Sequence, residues 1–297
     1  VLTSFNVGKG SDNFGIQQIG ELNLHGRLSI GELQNIANPL DALEADLKNK
    51  THLLELELRW NRNWNLDDSI KERLVLENLQ PSSHLEKLSI WNYGGTQFPN
   101  WLSDNCLCNV VSLSLENCKY CLCLPPLGLL PFLKQLTIEG FDEIVSINAD
   151  FYGSSSCSFT SLESLNFSDM KEWEEWECKG VTGAFPRLQR LSIKNCGKLK
   201  GHLPEQLCHL NDLWISQCDS LMTIQLDIFP VLRKLTIWSC SNLQRISQGH
   251  AHNHLKQLRI RECPQLESLP EGMHVLLPSL DDLSIDHCPK VEMFPEG

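Results

Sequence analysis

Cysteine is the first residue type in this sequence to consider for chemistry, because thirteen cysteines are present among 297 residues. Five of them fall between Cys106 and Cys123, and Cys118-Lys-Tyr-Cys121 has the CxxC spacing of a zinc-ligand pair. A structural zinc site needs a second pair at a suitable distance, which the sequence does not supply. We therefore predict no metal site at these cysteines.

Three histidines that alternate along the chain, His250, His252 and His254, are the second candidate for metal binding. Their position just before the apolar stretch that begins at Leu255 favours a solvated loop over a metal-binding strand. No Ser/His/Asp or Cys/His arrangement stands in the context of a catalytic motif. We expect no catalytic activity and no bound metal or cofactor in this chain.

A nine-residue pattern recurs ten times: Leu, two variable residues, Leu, one variable residue, Leu or Ile, two variable residues, then Cys or a substitute. The copies start at Leu53, Leu85, Val110, Leu133, Leu162, Leu188, Leu210, Leu232, Leu255 and Leu280. Most of the intervals between them match the period of leucine-rich repeats, which is about 20 to 29 residues. An eleventh, degenerate copy is predicted around residues 28–33.

In an extended strand, the fourth and sixth residues of this pattern point to one side, and the residue between them points to the other. A single repeat cannot bury its apolar side alone, so neighbouring repeats must stack. We therefore predict an α/β solenoid over residues 1–297, a leucine-rich-repeat horseshoe of about 10–11 repeats. Its concave face is a parallel β-sheet, and its convex face carries irregular loops or short helices. One helix should begin at Asn38-Pro39 and another should cover Asp68 to Leu79.

The ninth place of the pattern holds cysteine in six copies, at Cys118, Cys196, Cys218, Cys240, Cys263 and Cys288. In the copy that starts at Leu53, we assign this place to Asn61. A free cysteine at a repeated position acts as a small buried hydrophobic residue and a weak donor. Parallel stacking keeps equivalent cysteines in separate repeats, and an odd total leaves a thiol unpaired. We therefore predict a structural ladder of reduced thiols and an intracellular, cytoplasmic location.

The composition is acidic, with a net charge of −12 and a pI near 5.3. This balance argues against generic nucleic-acid binding, which needs a clustered positive surface. No run of 18 apolar residues is present, so no transmembrane helix is predicted. The sequence begins without Met and ends within a repeat, and we expect it to be part of a longer polypeptide.

Four tryptophans are assigned to the concave face from their places in the repeat: Trp60, Trp91, Trp214 and Trp238. Exposed tryptophan is enriched in interface hot spots, although packing of these side chains against one another would account for them equally well. Trp173 and Trp176 are instead predicted to be buried on the convex side.

Basic residues gather on the same predicted face despite the acidic composition: Arg190, Lys194, Arg233, Lys234, Lys256, Arg259 and Arg261. A local positive strip favours an acidic partner, and solvated side chains without a role are the alternative. Trp214, Trp238, Arg259 and Arg261 fall on three successive predicted strands. We predict that these four residues form the centre of a binding site.

Several longer phrases resemble one family in particular. They include Tyr93-Gly-Gly-Thr-Gln-Phe-Pro-Asn-Trp-Leu102, Cys118-Lys-Tyr-Cys-Leu-Cys-Leu-Pro-Pro-Leu-Gly-Leu-Leu-Pro131 and Met170-Lys-Glu-Trp-Glu-Glu-Trp176. From about Gly20 to the end, the sequence is similar to the repeat domain of plant coiled-coil nucleotide-binding leucine-rich-repeat (NB-LRR) disease resistance proteins. Leu129 and Gly197 depart from the family's usual phrases.

The resemblance implies the recognition domain of an intracellular immune receptor. Its partners would be a pathogen effector or a guarded host protein, together with a nucleotide-binding module of the same polypeptide. That module, with its ADP/ATP switch, and the coiled coil would lie upstream, because these 297 residues contain no phosphate-binding loop. A non-immune leucine-rich-repeat scaffold and an F-box-type substrate reader are the alternatives.

Overall fold

In the computed structural model, the chain forms two compact units. Unit 1 comprises residues 1–144 and 150–155, and unit 2 comprises residues 145–149 and 156–297. The structure describes residues 2–10, 14–62, 68–103, 105–153, 158–177, 183–200, 203–204, 207–270 and 272–291. The expectation of one continuous domain over residues 1–297 stays a prediction. Within the described ranges, no helix has the length and apolar character needed to cross a membrane.

Unit 1 is built on six described strands, which pair in parallel and in chain order. They are β1 (Ser4–Asn6), β2 (Gly26–Gly31), β3 (Leu53–Arg59), β4 (Lys87–Trp91), β5 (Ser112–Glu116) and β6 (Gln135–Glu139). The degenerate copy predicted around residues 28–33 therefore does supply a strand, β2.

The helix predicted over Asp68 to Leu79 is confirmed as α1 (Ser69–Asn78). The Asp68 carboxylate accepts a hydrogen bond from the Lys71 backbone N–H at 2.9 Å, which satisfies a donor at the start of the helix. The second helix is a 3-10 helix, Pro39–Ala45, whose first turn is capped by the Asn38 side chain. Shorter 3-10 segments cover Ile16–Ile19, Leu33–Asn35, Leu47–Asn49, Asn100–Leu102, Asn105–Leu107 and Leu127–Leu129.

Unit 2 repeats the same plan. Its strands are β7 (Ser146–Ile147), β8 (Ser164–Ser168), β9 (Glu175–Trp176), β10 (Arg190–Lys194), β11 (Asp212–Ser216), β12 (Thr223–Gln225), β13 (Lys234–Trp238), β14 (Arg245–Ser247), β15 (Gln257–Arg261) and β16 (Asp282–Asp286). Strands β8, β10, β11, β13, β15 and β16 pair in parallel in that order. The short strands pair separately, β7 with β9 and β12 with β14. The helical segments of unit 2 are the 3-10 segment Leu226–Ile228 and α3 (Met273–Leu276), whereas α2 (Ala149–Tyr152) has three of its four residues in unit 1.

The core of each unit follows from the alternation of the pattern. In β10, Leu191 and Ile193 are buried, whereas Arg190 and Lys194 are exposed. Strand pairing is in register, so Leu191 lies beside Leu213 of the next repeat and each fourth place packs on another fourth place. Each fully buried Leu or Ile contributes roughly 1.5–3 kcal/mol. The core is therefore the sum of one small apolar layer per repeat.

A left-handed residue follows each repeat strand from β4 onward. The eighth places, which include Asn117, Asn195 and Gln217, have φ near +55°. Asn and Asp tolerate this region better than other residues with a side chain because their short polar groups bond locally. The turn points the ninth residue inward, and Trp173 and Trp176 pack in the core just after it, as predicted.

Candidate partner-binding face

The strand face of unit 2 is the surface formed by the third, fifth and seventh places of its repeats. Because strands are in register, Trp214 of β11 lies beside Thr236 of β13, and Trp238 of β13 lies beside Arg261 of β15. Trp214 is 39% exposed and Trp238 is 44% exposed. Neither indole is therefore removed from water by packing against the other.

The predicted basic residues divide into two groups. Five lie within strands of this face: Arg190, Lys194, Lys234, Arg259 and Arg261. Arg233 and Lys256 instead precede β13 and β15 directly, and their carbonyl oxygens accept the first hydrogen bonds of the next strand. All seven side chains are exposed. The positive strip thus covers the face and its N-terminal margin.

Two of the arginines are paired with acidic residues that the sequence reasoning missed. The Arg259 guanidinium lies 2.7 Å from the Asp282 carboxylate, and that of Arg261 lies 2.9 Å from Asp286. A hydrogen bond from the Gln257 amide, together with Arg259, holds the pKa of Asp282 below its usual range. Arg261 lowers the pKa of Asp286 in the same way. Both aspartates stand at strand-face places of the copy that starts at Leu280, so the repeat pattern contained the signal.

The other strand cations are differently placed. The Lys194 ammonium lies 5.3 Å from the centre of the Trp214 ring, which is within the range of a cation–π interaction. Arg190 and Lys234 lie on either side of Asp212 in the strand register. Within the described residues, none of these three cations has a carboxylate at ion-pair distance. Their charge remains available to a partner.

Trp91 lies on the strand face of unit 1 and is half-buried. The Arg59 guanidinium stacks over its ring at 5.0 Å. Its neighbours along the seventh places are Glu116 and Glu139. Burial, and to a lesser degree the nearby Glu139, raise the pKa of Glu116. This face is therefore more acidic than the strand face of unit 2, and Trp91 stands in different surroundings from Trp214.

The assignment of Trp60 to the exposed face is wrong. Its side chain is only 2% exposed, and its indole N–H donates to the buried carboxylate of Glu72 in α1. The ring meets Tyr93 edge-on at 5.3 Å between centroids. In this copy the alternation of β3 continues by one residue, so Trp60 fills the buried position assigned to Asn61, which is exposed. An unbroken alternation through Leu56 and Leu58 was the available signal.

The six ninth-place cysteines are buried and carry free thiols. They are Cys118, Cys196, Cys218, Cys240, Cys263 and Cys288. Each thiol donates to the carbonyl oxygen two residues earlier, at sulfur–oxygen distances of 3.2 to 3.7 Å. Burial raises the pKa of Cys118, Cys196 and Cys218 to about 12. Thiols of this kind pack and do not react. Cys121 is also buried, and its thiol donates to the Gly95 carbonyl oxygen at 3.2 Å.

The loop before β15 differs from the predicted solvated loop at one residue. His250 and His254 are exposed, but His252 is buried. Its Nδ1 accepts a hydrogen bond from the Leu255 N–H at 3.2 Å, and its Nε2 lies 2.7 Å from the Phe229 carbonyl oxygen. Both ring nitrogens thus form hydrogen bonds with backbone groups. Across the described ranges, no group of three His, Cys, Asp or Glu side chains is arranged to hold a metal ion.

These features define a leucine-rich-repeat protein. The solved leucine-rich repeat domain of the type III effector XCV3220 (XopL) matches the structure with a TM-score of 0.54. The match covers 92% of this chain and 80% of that one at 18% sequence identity, so it concerns the fold alone. The predicted fold class is confirmed. This fold serves as a protein-interaction scaffold.

The comparisons also place the chain in a family. Two family models match, R13L1/DRL21 leucine-rich repeats at residues 16–141 and the leucine-rich repeats of RPS2-like plant disease resistance proteins at residues 158–289. The disease resistance RPP13-like protein 1 of Arabidopsis thaliana is 35% identical over 93% of this chain. The disease resistance protein RGA2 of Solanum bulbocastanum is 33% identical over 96% of it. The chain belongs to the leucine-rich repeats of plant disease resistance proteins, as the resemblance indicated.

The chain spans only part of these relatives. It covers 31% of the length of the Arabidopsis protein and 25% of the length of the Solanum protein. The activity and the partners of the whole proteins are therefore proposals for this chain.

Proposed function

We propose that this chain is the protein-recognition module of an intracellular plant immune receptor. It binds a pathogen effector or a guarded host protein, and binding changes the state of an upstream nucleotide-dependent switch that uses ADP and ATP. The observation that carries the proposal is the strand face of unit 2, where Trp214 and Trp238 stay exposed among unpaired cations. Aromatic and cationic anchors of this type dominate the binding energy of protein interfaces.

Two further observations support this assignment. The family is that of plant disease resistance proteins, which favours immunity over a general scaffold or an F-box-type substrate reader. The buried, free thiols suit a reducing, cytoplasmic compartment, because disulfides are rare there. The nucleotide belongs to the upstream module in this proposal, and the chain itself needs no cofactor for recognition.

The test uses the full natural polypeptide that contains this chain. Trp238→Ala and Arg259→Ala are introduced together, and pathogen-triggered cell death is scored in leaf tissue at matched protein levels. We expect loss of recognition, because truncating an anchor residue in an interface typically costs about 2 kcal/mol or more. The matched control is Met222→Ala with Arg245→Ala, which removes one exposed apolar and one exposed basic side chain elsewhere in unit 2.

Normal cell death from the well-expressed Trp238 and Arg259 variant would move recognition away from this face. Equal loss in the control variant would point to general destabilisation of unit 2 in place of lost recognition.

A further inference from the structure

We infer that the strand face of unit 2 recognises an extended acidic segment of its protein partner, and that Arg190, Lys194 and Lys234 read its carboxylates around the two tryptophans. This inference rests on the proposed function and names the chemistry of the partner. The cationic aromatic patch is defined as Arg190, Lys194, Trp214, Lys234 and Trp238.

The patch is compact because its residues lie on three neighbouring strands, β10, β11 and β13. Paired strands are about 4.8 Å apart, so the backbones of Arg190 and Lys234 are separated by roughly 10 Å. The residues between the large side chains are Ser192, Ser216 and Thr236, which are small, and Asp212, which lies between Arg190 and Lys234 in the strand register. The two indoles and the three cations therefore project beyond these shorter side chains, which leaves room for a ligand on the face.

The charges of the face select these three cations over the other two. Arg259 and Arg261 are already neutralised by Asp282 and Asp286 of β16. In the described part of the chain, Arg190, Lys194 and Lys234 form no ion pair. Exposed unpaired charges next to exposed aromatic rings are well suited to bind carboxylates and apolar groups together.

The partner's geometry follows from this spacing. A polyproline II segment rises about 3.1 Å per residue with three residues per turn, so carboxylates three residues apart point the same way about 9 Å apart. That separation is close to the roughly 10 Å between the backbones of Arg190 and Lys234. An apolar residue between the carboxylates would lie over Trp214 or Trp238. An acidic residue, two intervening residues including an apolar one, and a second acidic residue form the matching motif.

The surroundings favour a protein segment over a polyphosphate. The chain has a net charge of −12, and the patch offers only three unpaired cations. Nucleic acid binding relies on many phosphate contacts over a broad positive surface. A short acidic segment instead meets attraction at the patch and repulsion elsewhere, which fixes where and in which orientation it binds.

The experiment measures binding of labelled twelve-residue peptides to the complete 297-residue chain by fluorescence anisotropy. The probe has the core Glu-Pro-Leu-Glu between Gly-Ser flanks, and the matched peptides have Gln-Pro-Leu-Gln and Lys-Pro-Leu-Lys. At about 50 mM salt, where exposed charges are weakly screened, we expect the Glu peptide to bind at least about tenfold more tightly than either one. A single-stranded RNA oligomer serves as the polyphosphate probe.

The decisive variant is Lys194→Glu with Lys234→Glu, which should weaken binding of the Glu peptide about tenfold or more. Its control is Lys48→Glu with Lys119→Glu, which changes net charge equally at exposed lysines of unit 1. Circular dichroism of both variants checks folding. Equal binding of the Glu and Gln peptides, equal loss in both variants, or tighter binding of RNA would overturn the inference.

The two proposals fail separately. A normal leaf response from the Trp238 and Arg259 variant, together with selective binding of the Glu peptide, would move immune recognition away from this face and keep the acidic ligand. A lost leaf response without selectivity for the Glu peptide would keep the immune role and reject the acidic ligand.

Discussion

At the scale of single residues, the ninth place of the repeat is where the chain turns and a side chain enters the core after each strand. The preceding left-handed residue, such as Asn195, turns the chain so that the Cys196 thiol faces inward and donates to the Lys194 carbonyl oxygen at 3.2 Å. A small side chain with a weak donor satisfies both packing and hydrogen bonding there. Larger side chains without that donor, such as Phe141 and Met170, fill the same place in other repeats.

These thiols should make stability fall at alkaline pH. In the unfolded chain the thiols ionise near the ordinary pKa of 9.0, but burial in the folded chain raises the pKa of Cys196 to about 12. The stability that comes from this raised pKa is therefore fully present below pH 9 and is lost as the pH rises toward 12. At pH 10, ionisation of one such thiol in the unfolded state should cost roughly 1.4 kcal/mol. Urea unfolding with a reductant, at pH 7 and pH 10, measures this loss.

Between the two pH values, the free energy of unfolding of Cys196→Ala should fall by about 1.4 kcal/mol less than that of the parent. Met170→Ala is the control, because it creates a cavity at a ninth place without removing an ionisable group. Identical pH dependence in the parent and Cys196→Ala would show that the thiol is not held neutral by the fold.

At the scale of elements, α1 is anchored by an unusual buried residue. The helix buries Glu72 together with Val75 and Leu76, and the Glu72 carboxylate accepts from the Trp60 indole. The Lys71 ammonium lies 3.6 Å from the other carboxylate oxygen. Burial raises the pKa of Glu72, and the hydrogen bond from Trp60 opposes that shift only in part. The helix is thus held to Trp60, the residue directly after strand β3, through a polar contact inside the core.

Glu72→Gln should stabilise the protein at pH 8 relative to the parent. The amide oxygen can still accept from Trp60, while the cost of burying a charge disappears. Because the folded pKa is raised, the parent is relatively more stable at low pH, and this contribution is lost as pH rises above 4.5 through the folded value. Thermal unfolding at pH 5 and pH 8 should show a smaller advantage of Glu72→Gln at pH 5.

The half-exposed Glu77 of the same helix supplies the control, Glu77→Gln. A Glu72→Gln variant that is less stable than the parent at pH 8 would mean that the charge of Glu72 itself holds α1 in place.

At the scale of the whole molecule, stability is distributed along the repeats. Leu213 of β11 is fully buried and lies between Leu191 and Leu235 in the strand register. In a repeat protein each repeat contacts only its neighbours, so stability is close to a sum of local contributions. Damage in one repeat should therefore be felt first by the repeats beside it.

Leu213→Ala should lower the free energy of unfolding by about 2–5 kcal/mol, because it leaves a cavity in the core. Asp212→Ala, on the opposite side of the same strand, should change it by no more than about 0.5 kcal/mol. Urea unfolding measures both values. Hydrogen exchange of Leu213→Ala should show lost protection concentrated in β10, β11 and β13, with β3 and β4 little affected. Equal unfolding midpoints for the two variants would show that the repeat register is misassigned.

Sequence alone determined which side of the repeat strands faces the core, because that side depends on local alternation and in-register stacking. The alternation Leu191, Ser192, Ile193 placed the core side of a strand, and parallel pairing then carried that placement from repeat to repeat. The predicted range Asp68 to Leu79 held for α1, whose cap at Asp68 is also local because it involves only the next three residues. The exposure of Trp214 and Trp238 followed from their odd-numbered places in the same way.

Only the tertiary structure decided which side chains meet across repeats. The Trp60 indole finds its acceptor in Glu72, which reaches it from the next connecting segment, and the buried His252 ring finds its partner in the Phe229 carbonyl 23 residues earlier. The neutralisation of Arg259 and Arg261 depends on the next strand, β16. Such contacts are set by side-chain reach and by the path of each connecting loop. The repeat pattern specifies the backbone spacing between strands, but it specifies neither the reach of each side chain nor the path of each connecting loop.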